Sequence, residues 1–263
     1  MNNIKFTLIY LFSLLLSACS TTGTDTLSET EESFTAVDKT LNKQETGSAA
    51  NDLLSDENYD KIVYELFYVK GFKPTEETIT NFKTFITERL NKPKGSELIL
   101  EEITVPYKET YTVSEIKAIE DNIRTKYNFG KEIAVFGLFL DGDYSGNTEN
   151  GSVLGIAYRN TSFVVFENTV KRFSRQPLAP STTTLTSTVL NHEFAHLLGL
   201  VNLGSPMQTT HQDKEHSKHC SVADCLMYWT AETGEGLLNS ISGGTIPTLD
   251  AQCLADLKAN GGK

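Results

Sequence analysis

The chain has 263 residues, of which 39% are apolar and 22% charged, and its formal net charge is −11. That length allows one domain with a substantial core, and the acidic balance excludes a basic face for nucleic acid. The acids are dispersed as on a solvated surface, so they give no ground for a cationic substrate.

Lys5 precedes an apolar run from Phe6 to Leu16 that closes on Leu16-Ser17-Ala18-Cys19. A spanning helix needs about 20 apolar residues, so this run is too short to span. Its end resembles a bacterial lipoprotein signal. The resemblance implies a signal peptide over residues 1–18, lipidation of Cys19, export, and a lipid anchor in the membrane of the cell envelope. From residue 19 to 51 the chain is mostly Thr, Ser, Glu, Asn and Gly. It has too few bulky apolar residues to offset the entropy of ordering, and is expected to be a disordered tether. Residues 52–263 remain as one domain, expected to be monomeric, with a helical N-terminal portion.

Between Asp52 and Leu90 the spacing predicts two helices, one carrying Val63, Leu66 and Phe67, the other Ile79, Phe82, Phe85 and Ile86. Lys70-Gly71 and Lys73-Pro74 separate them. Glu102 to Val105 reads as a strand. Ser114 opens a helix toward Tyr127 whose apolar stripe is Val113, Ile116, Ile119 and Ile123. Ile133 to Leu140, Ser152 to Tyr158 and Ser162 to Phe166 predict three further strands. Between the first two, Asp141-Gly142-Asp143 is a candidate turn for a structural Ca2+, although no complete calcium-loop spacing follows. Pro177 and Pro180 close the loop before a long helix over Thr183 to Leu198. Strands followed by a long helix place the domain in the α/β (α+β) class.

That helix contains His192-Glu193-Phe194-Ala195-His196. Two histidines four residues apart share one helix face, so both imidazoles reach one metal ion while Glu193 faces the water it binds. As ordinary helix residues they would bury polar groups that need partners, and a metal supplies one. The chemistry this spacing points to is zinc-dependent hydrolysis. Gly199 marks where the helix stops or turns.

Residues His192 to Gly199 resemble the extended H-E-x-x-H-x-x-G motif of metzincin metallopeptidases, and Cys225-Leu226-Met227-Tyr228 resembles their methionine turn. The run His219-Cys220, four residues, then Cys225-Leu226-Met227 is similar to the archaemetzincin pattern, in which the third zinc histidine directly precedes such a cysteine pair. The resemblance implies a zincin domain with a mixed twisted sheet, a long active-site helix, and Met227 packed beneath a catalytic Zn2+. It further implies a zinc-dependent metallopeptidase, more an endopeptidase than an exopeptidase, with a protein or peptide substrate. Glu193 would move the protons, and the strand ending in Gly155-Ile156-Ala157-Tyr158 is a candidate edge for an extended peptide.

One position departs from the pattern. The usual third ligand, three residues after the glycine, is Asn202 here, and an amide oxygen is a poor zinc donor. The following insertion brings His211 and His216, with His219 just beyond it. His219 alone keeps the family spacing and is the expected third ligand, with His211, His216 and Asn202 as alternatives. With Cys19 lipidated, Cys220, Cys225 and Cys253 remain, so one disulfide is possible. The resembled family surrounds a second, structural zinc with four cysteines, but the final close pair is missing here, so the resemblance does not extend to that metal. A noncatalytic, zinc-containing binding lipoprotein on the same scaffold is the competing class.

Overall fold

The computed structural model describes residues 36–263 except Asn150, Ser242 and Gly243, and of Asn239 and Ser240 only the backbone. The expected signal peptide, Cys19 and the start of the expected tether lie outside the described residues. Among the described residues no helix is long and apolar enough to cross a membrane.

After a single 3-10 turn at Lys39–Asn42, the chain forms α1 (Ala50–Leu54), β1 (Lys61–Val69), α2 (Glu76–Thr87), β2 (Ser96–Ile103), β3 (Thr110–Tyr111) and α3 (Val113–Ile123). There follow β4 (Glu132–Phe139), β5 (Asp143–Tyr144), β6 (Gly155–Arg159), β7 (Ser162–Val165), α4 (Glu167–Ser174) and α5 (Thr182–Leu197). A second 3-10 turn at Trp229–Glu232 leads to α6 (Gly234–Ser240) and α7 (Ala251–Ala259). The main sheet has the order β2-β1-β4-β7-β6, parallel throughout except for the antiparallel edge strand β6. The architecture is a mixed α/β fold.

The first predicted helix is instead β1. Six consecutive residues from Ile62 to Phe67 are buried, because β1 lies inside a parallel sheet covered on both faces. Such strands show continuous apolar runs without alternation, and a run of this kind also contains helical spacings. On one face of the sheet, α2 and α5 close a core in which Phe194 meets Phe82 edge-on at 5.3 Å and Tyr64 at 5.8 Å between ring centres. Burying a phenylalanine of this kind contributes about 2–3 kcal/mol. On the other face Ile116 of α3 packs with Phe136, Leu138 and Val164. Helix α5 is buried on every side from Thr184 to Leu197, as expected of a helix laid between a sheet and other helices.

The expected tether ends earlier than residue 51. Asn42 is fully buried, its amide donating to Asn128 Oδ1 at 2.7 Å and to the Ala134 carbonyl at 3.0 Å, while its Oδ1 accepts from the Asn128 N–H. A few polar anchors of this sort order a segment whose composition alone would not. The proposed calcium turn also reads differently. Asp141 accepts from the Tyr111 hydroxyl, and Asp143 is held by Arg172 and Thr169. Each carboxylate is thus engaged by protein donors.

Candidate metal centre and cleft

Helix α5 begins at Ser181, whose hydroxyl accepts the Thr184 N–H, and ends where Gly199 adopts φ +81°. A side chain at Gly199 would meet Ser205 N at 2.4 Å, so the turn-off from the helix is reserved for glycine. Asn202 follows in a left-handed conformation, φ +59°, and is exposed. It serves as a turn residue and does not face the histidines.

The chain then returns and brings His219 beside His192 and His196. The ring centres lie 4.7 Å apart for His192 and His196, 5.4 Å for His192 and His219, and 5.3 Å for His196 and His219. Each Nδ1 sits on a backbone carbonyl: His192 on Leu226 at 2.7 Å, His196 on Leu200 at 3.1 Å, and His219 on Ser217 at 3.1 Å. A carbonyl only accepts, so each Nδ1 donates its ring proton there, and in a neutral ring Nε2 then presents a lone pair. His192 and His196 direct these lone pairs at one another across 3.1 Å. Burial pulls the proton affinity of His196 down, which keeps that ring neutral. Converging lone pairs repel unless a cation lies between them, so the residues fit a metal ion.

Glu193 is completely buried, and among the described residues neither of its carboxylate oxygens has a hydrogen-bond partner. Burial, and then the charge of Glu232, push its pKa well above the ordinary carboxylate value. Gly155 of the edge strand lies directly over it: a Cβ there would stand 2.7 Å from both Glu193 Cγ and Oε1. A buried, unpartnered carboxylate beside three lone-pair donors is costly as pure structure and useful for moving protons.

His196 and His219 open on a cleft of about 390 Å³ whose walls include Tyr144, Val153, Ile156, Leu203 and Lys218. Along its side the free edge of β6 is partly taken. The Thr46 hydroxyl donates to the Ala157 carbonyl at 3.1 Å, and the Asn160 N–H donates to the Gln44 carbonyl at 3.0 Å. Glu232 closes the opposite side and was not anticipated, since nothing in its sequence context separates it from the chain's other acids. Burial alone would raise its pKa, but contacts with His192, His196 and His219 hold it well below the carboxylate range.

The other sequence candidates lie elsewhere. His216 stacks on Trp229, with ring centres 4.2 Å apart. His211 belongs to a second group with Cys220, Cys225, Cys253, Asp250 and Asp256. Its Nδ1 is 3.3 Å from Cys220 Sγ and 4.0 Å from Cys253 Sγ, and its Nε2 is 2.7 Å from Asp256 Oδ2. Burial would lower the His211 pKa, but Cys220 and Asp256 together raise it. All three cysteines are free, so the possible disulfide is absent, and Cys225 and Cys253 Sγ are 3.7 Å apart. Backbone N–H groups of Met227 and Asp250 donate to Cys225 Sγ, each at 3.4 Å. Hydrogen bonds from Cys220 and Cys253, outweighing burial, bring the Cys225 pKa down to about 4. His192, His196, His219 and Glu232 are compatible with metal coordination, and so are His211, Cys220, Asp250 and Cys253. Met227 is fully buried between them in sequence, its carbonyl accepting the Cys220 N–H at 2.7 Å.

No protein-family model matches the sequence, and no curated protein does. Solved structures do share the fold. The archaemetzincin of Methanopyrus kandleri matches with a TM-score of 0.52 at 17% identity, over 76% of this chain and 96% of that one. A zinc-dependent peptidase from Methanocorpusculum labreanum matches with a TM-score of 0.46 at 14% identity, over 74% of this chain and 99% of that one. Metalloproteinase-II from Bacteroides fragilis matches with a TM-score of 0.43 at 16% identity, over 78% and 54%. The sheet and its helices therefore resemble the fold of the archaemetzincin structure.

Proposed function

We propose that the protein is a zinc-dependent peptidase of the cell envelope, with His192, His196 and His219 as metal ligands through Nε2 and Glu193 as the proton-transferring residue. The observation that carries this reading is the convergence of three proton-free Nε2 atoms beside a buried carboxylate without a partner. Zinc in such a site supplies Lewis acidity, polarising a carbonyl and acidifying water. Glu193, whose dry pocket raises its proton affinity, takes a proton from the attacking water and returns it to the leaving amine. The Leu226 carbonyl fixes the His192 tautomer, which gives the segment around Met227 the orienting part of a methionine turn.

An extended peptide would pair with β6 over Gly155 and Ile156, the stretch ahead of the Thr46 contact at Ala157, with its side chains against Val153, Ile156 and Leu203. The Leu16 to Cys19 signal places the enzyme on a lipid anchor, and Cys19→Ser would release it from membranes if export continues. Retention of that variant on membranes would defeat the anchor. We read the thiol group as a second, structural metal site with Cys220, Cys225, Cys253 and His211 as donors. Asp256 backs the imidazole there, as outer carboxylates commonly do for metal-bound histidine.

Metal analysis of the full-length protein tests the reading, with hydrolysis of unfolded protein followed with and without a chelator. His192→Ala, His196→Ala should lose one equivalent of zinc and all chelator-sensitive hydrolysis. Equal zinc in that variant and the native chain would exclude the histidine site. Equal hydrolysis would exclude the peptidase.

A further inference from the structure

Glu232 reaches all three imidazoles. Its Oε1 lies 3.0 Å from His196 Nε2, 3.1 Å from His219 Nε2 and 3.5 Å from His192 Nε2. With the 3.1 Å between the His192 and His196 nitrogens, four of the six distances among these atoms fall between 3.0 and 3.5 Å, and the ligand atoms of the four residues all lie within 4.8 Å of one another. Four donors about 3.2 Å apart surround a point about 2.0 Å from each, the bond length zinc makes to imidazole nitrogen and carboxylate oxygen. A carboxylate meeting the histidines only as a hydrogen-bond acceptor has no reason to hold a comparable distance to three nitrogens at once.

The backbone that delivers Glu232 is fixed. Its carbonyl accepts the Leu154 N–H at 2.9 Å, and the Gly234 N–H donates to the Ser152 carbonyl at 2.9 Å, so residues 232–234 bridge to the chain entering β6. The side chain is different: 32% of it is exposed to the cleft, whereas the His192 side chain is wholly buried. Glu232 can therefore swing outward while the histidines cannot.

We propose that Glu232 is a fourth protein ligand that closes the metal site at rest and must leave it before a peptide is hydrolysed. Catalytic zinc keeps one position free of protein, while four protein donors make a closed site. The carboxylate stands on the cleft side of the histidines, facing β6, where the scissile carbonyl of a bound peptide would have to lie. Substrate and Glu232 thus compete for one position. The inference rests on the zinc-peptidase reading, and its test separates the two.

The full-length protein is loaded with cobalt(II). Its visible spectrum is taken as a difference against His192→Ala, His196→Ala, which retains the thiol group alone. In the native chain, added azide should leave the difference spectrum unchanged. In Glu232→Ala and in the volume-conserving Glu232→Gln, azide should shift it. Both variants should also give up the histidine-site metal to a chelator about tenfold more readily, the least expected for a group that supports a metal directly. Both should hydrolyse an unfolded protein faster than the native chain. An azide response equal in native and variant proteins, unchanged metal affinity, or slower hydrolysis would each overturn the proposal. A native spectrum identical to that of the double histidine variant would instead sink the zinc site itself.

Discussion

The histidine group and the thiol group are built from similar residue types within one region of the fold, yet they differ in how their polar atoms are satisfied. Around Cys225, backbone N–H groups donate to sulfur, and His211 is backed by Asp256 at 2.7 Å. Around His192 the rings are steadied from behind, their three Nε2 atoms share the one Glu232 carboxylate, and the Glu193 carboxylate has no hydrogen-bond partner among the described residues. Satisfied donors stabilise a fold, and unsatisfied ones remain available to a substrate. A capacity to bind metal therefore does not distinguish the two groups, whereas the buried Glu193 carboxylate does.

Glu193→Gln should give the largest separation of the two regions. Hydrolysis should fall about a thousandfold, equivalent to about 4 kcal/mol, while metal content and unfolding midpoint stay native. A variant that keeps its turnover, or loses its zinc, would remove Glu193 from the chemistry. Cys225→Ser should do the converse, lowering stability in urea by about 3 kcal/mol and removing metal from the thiol group while the histidine site stays loaded. Loss of metal from the histidines with the thiol metal intact would reverse the assignment.

Gly155→Ala should have a smaller effect. The new methyl group would press on Glu193 at 2.7 Å, and a displaced proton-transfer group should cost about tenfold in kcat, or about 1.4 kcal/mol. Metal affinity should not change, and stopped-assay kinetics beside a metal titration check both halves. The smallest signal concerns pH. The Cys225 pKa is depressed to about 4, so in the metal-free protein its thiolate persists as pH falls through neutrality and protonates only near pH 4. Whatever stability that charge brings is complete above the ordinary thiol pKa and is lost as pH falls toward 4. Thiolate ultraviolet absorbance of native protein minus Cys225→Ser follows this directly. A difference that vanishes near pH 8 would contradict it.

Much of the fold was legible wherever local pattern and tertiary environment agree. Helix α5 combines an apolar interior with a serine cap and a terminal glycine, and β4, β6 and β7 fall within apolar runs bounded by turn residues. Strand β1 was misread because its burial on both faces erases the two-residue alternation that marks a strand. The segment 37–51 was misread as tether because composition averages over it, whereas a few anchors such as Asn42 order it. Thr46, which limits the open edge of β6, lay inside that same stretch.

By itself the sequence determined the three candidate residues on the long helix. A helix places His192, Glu193 and His196 in one neighbourhood by its period, and no tertiary contact is needed to see that. The distant members were decided only by the tertiary structure, because the loop after Asn202 can close in many ways at similar entropic cost. The fold sends His219 to the helix, His211 to the cysteines, and Glu232 to the point where three lone pairs meet.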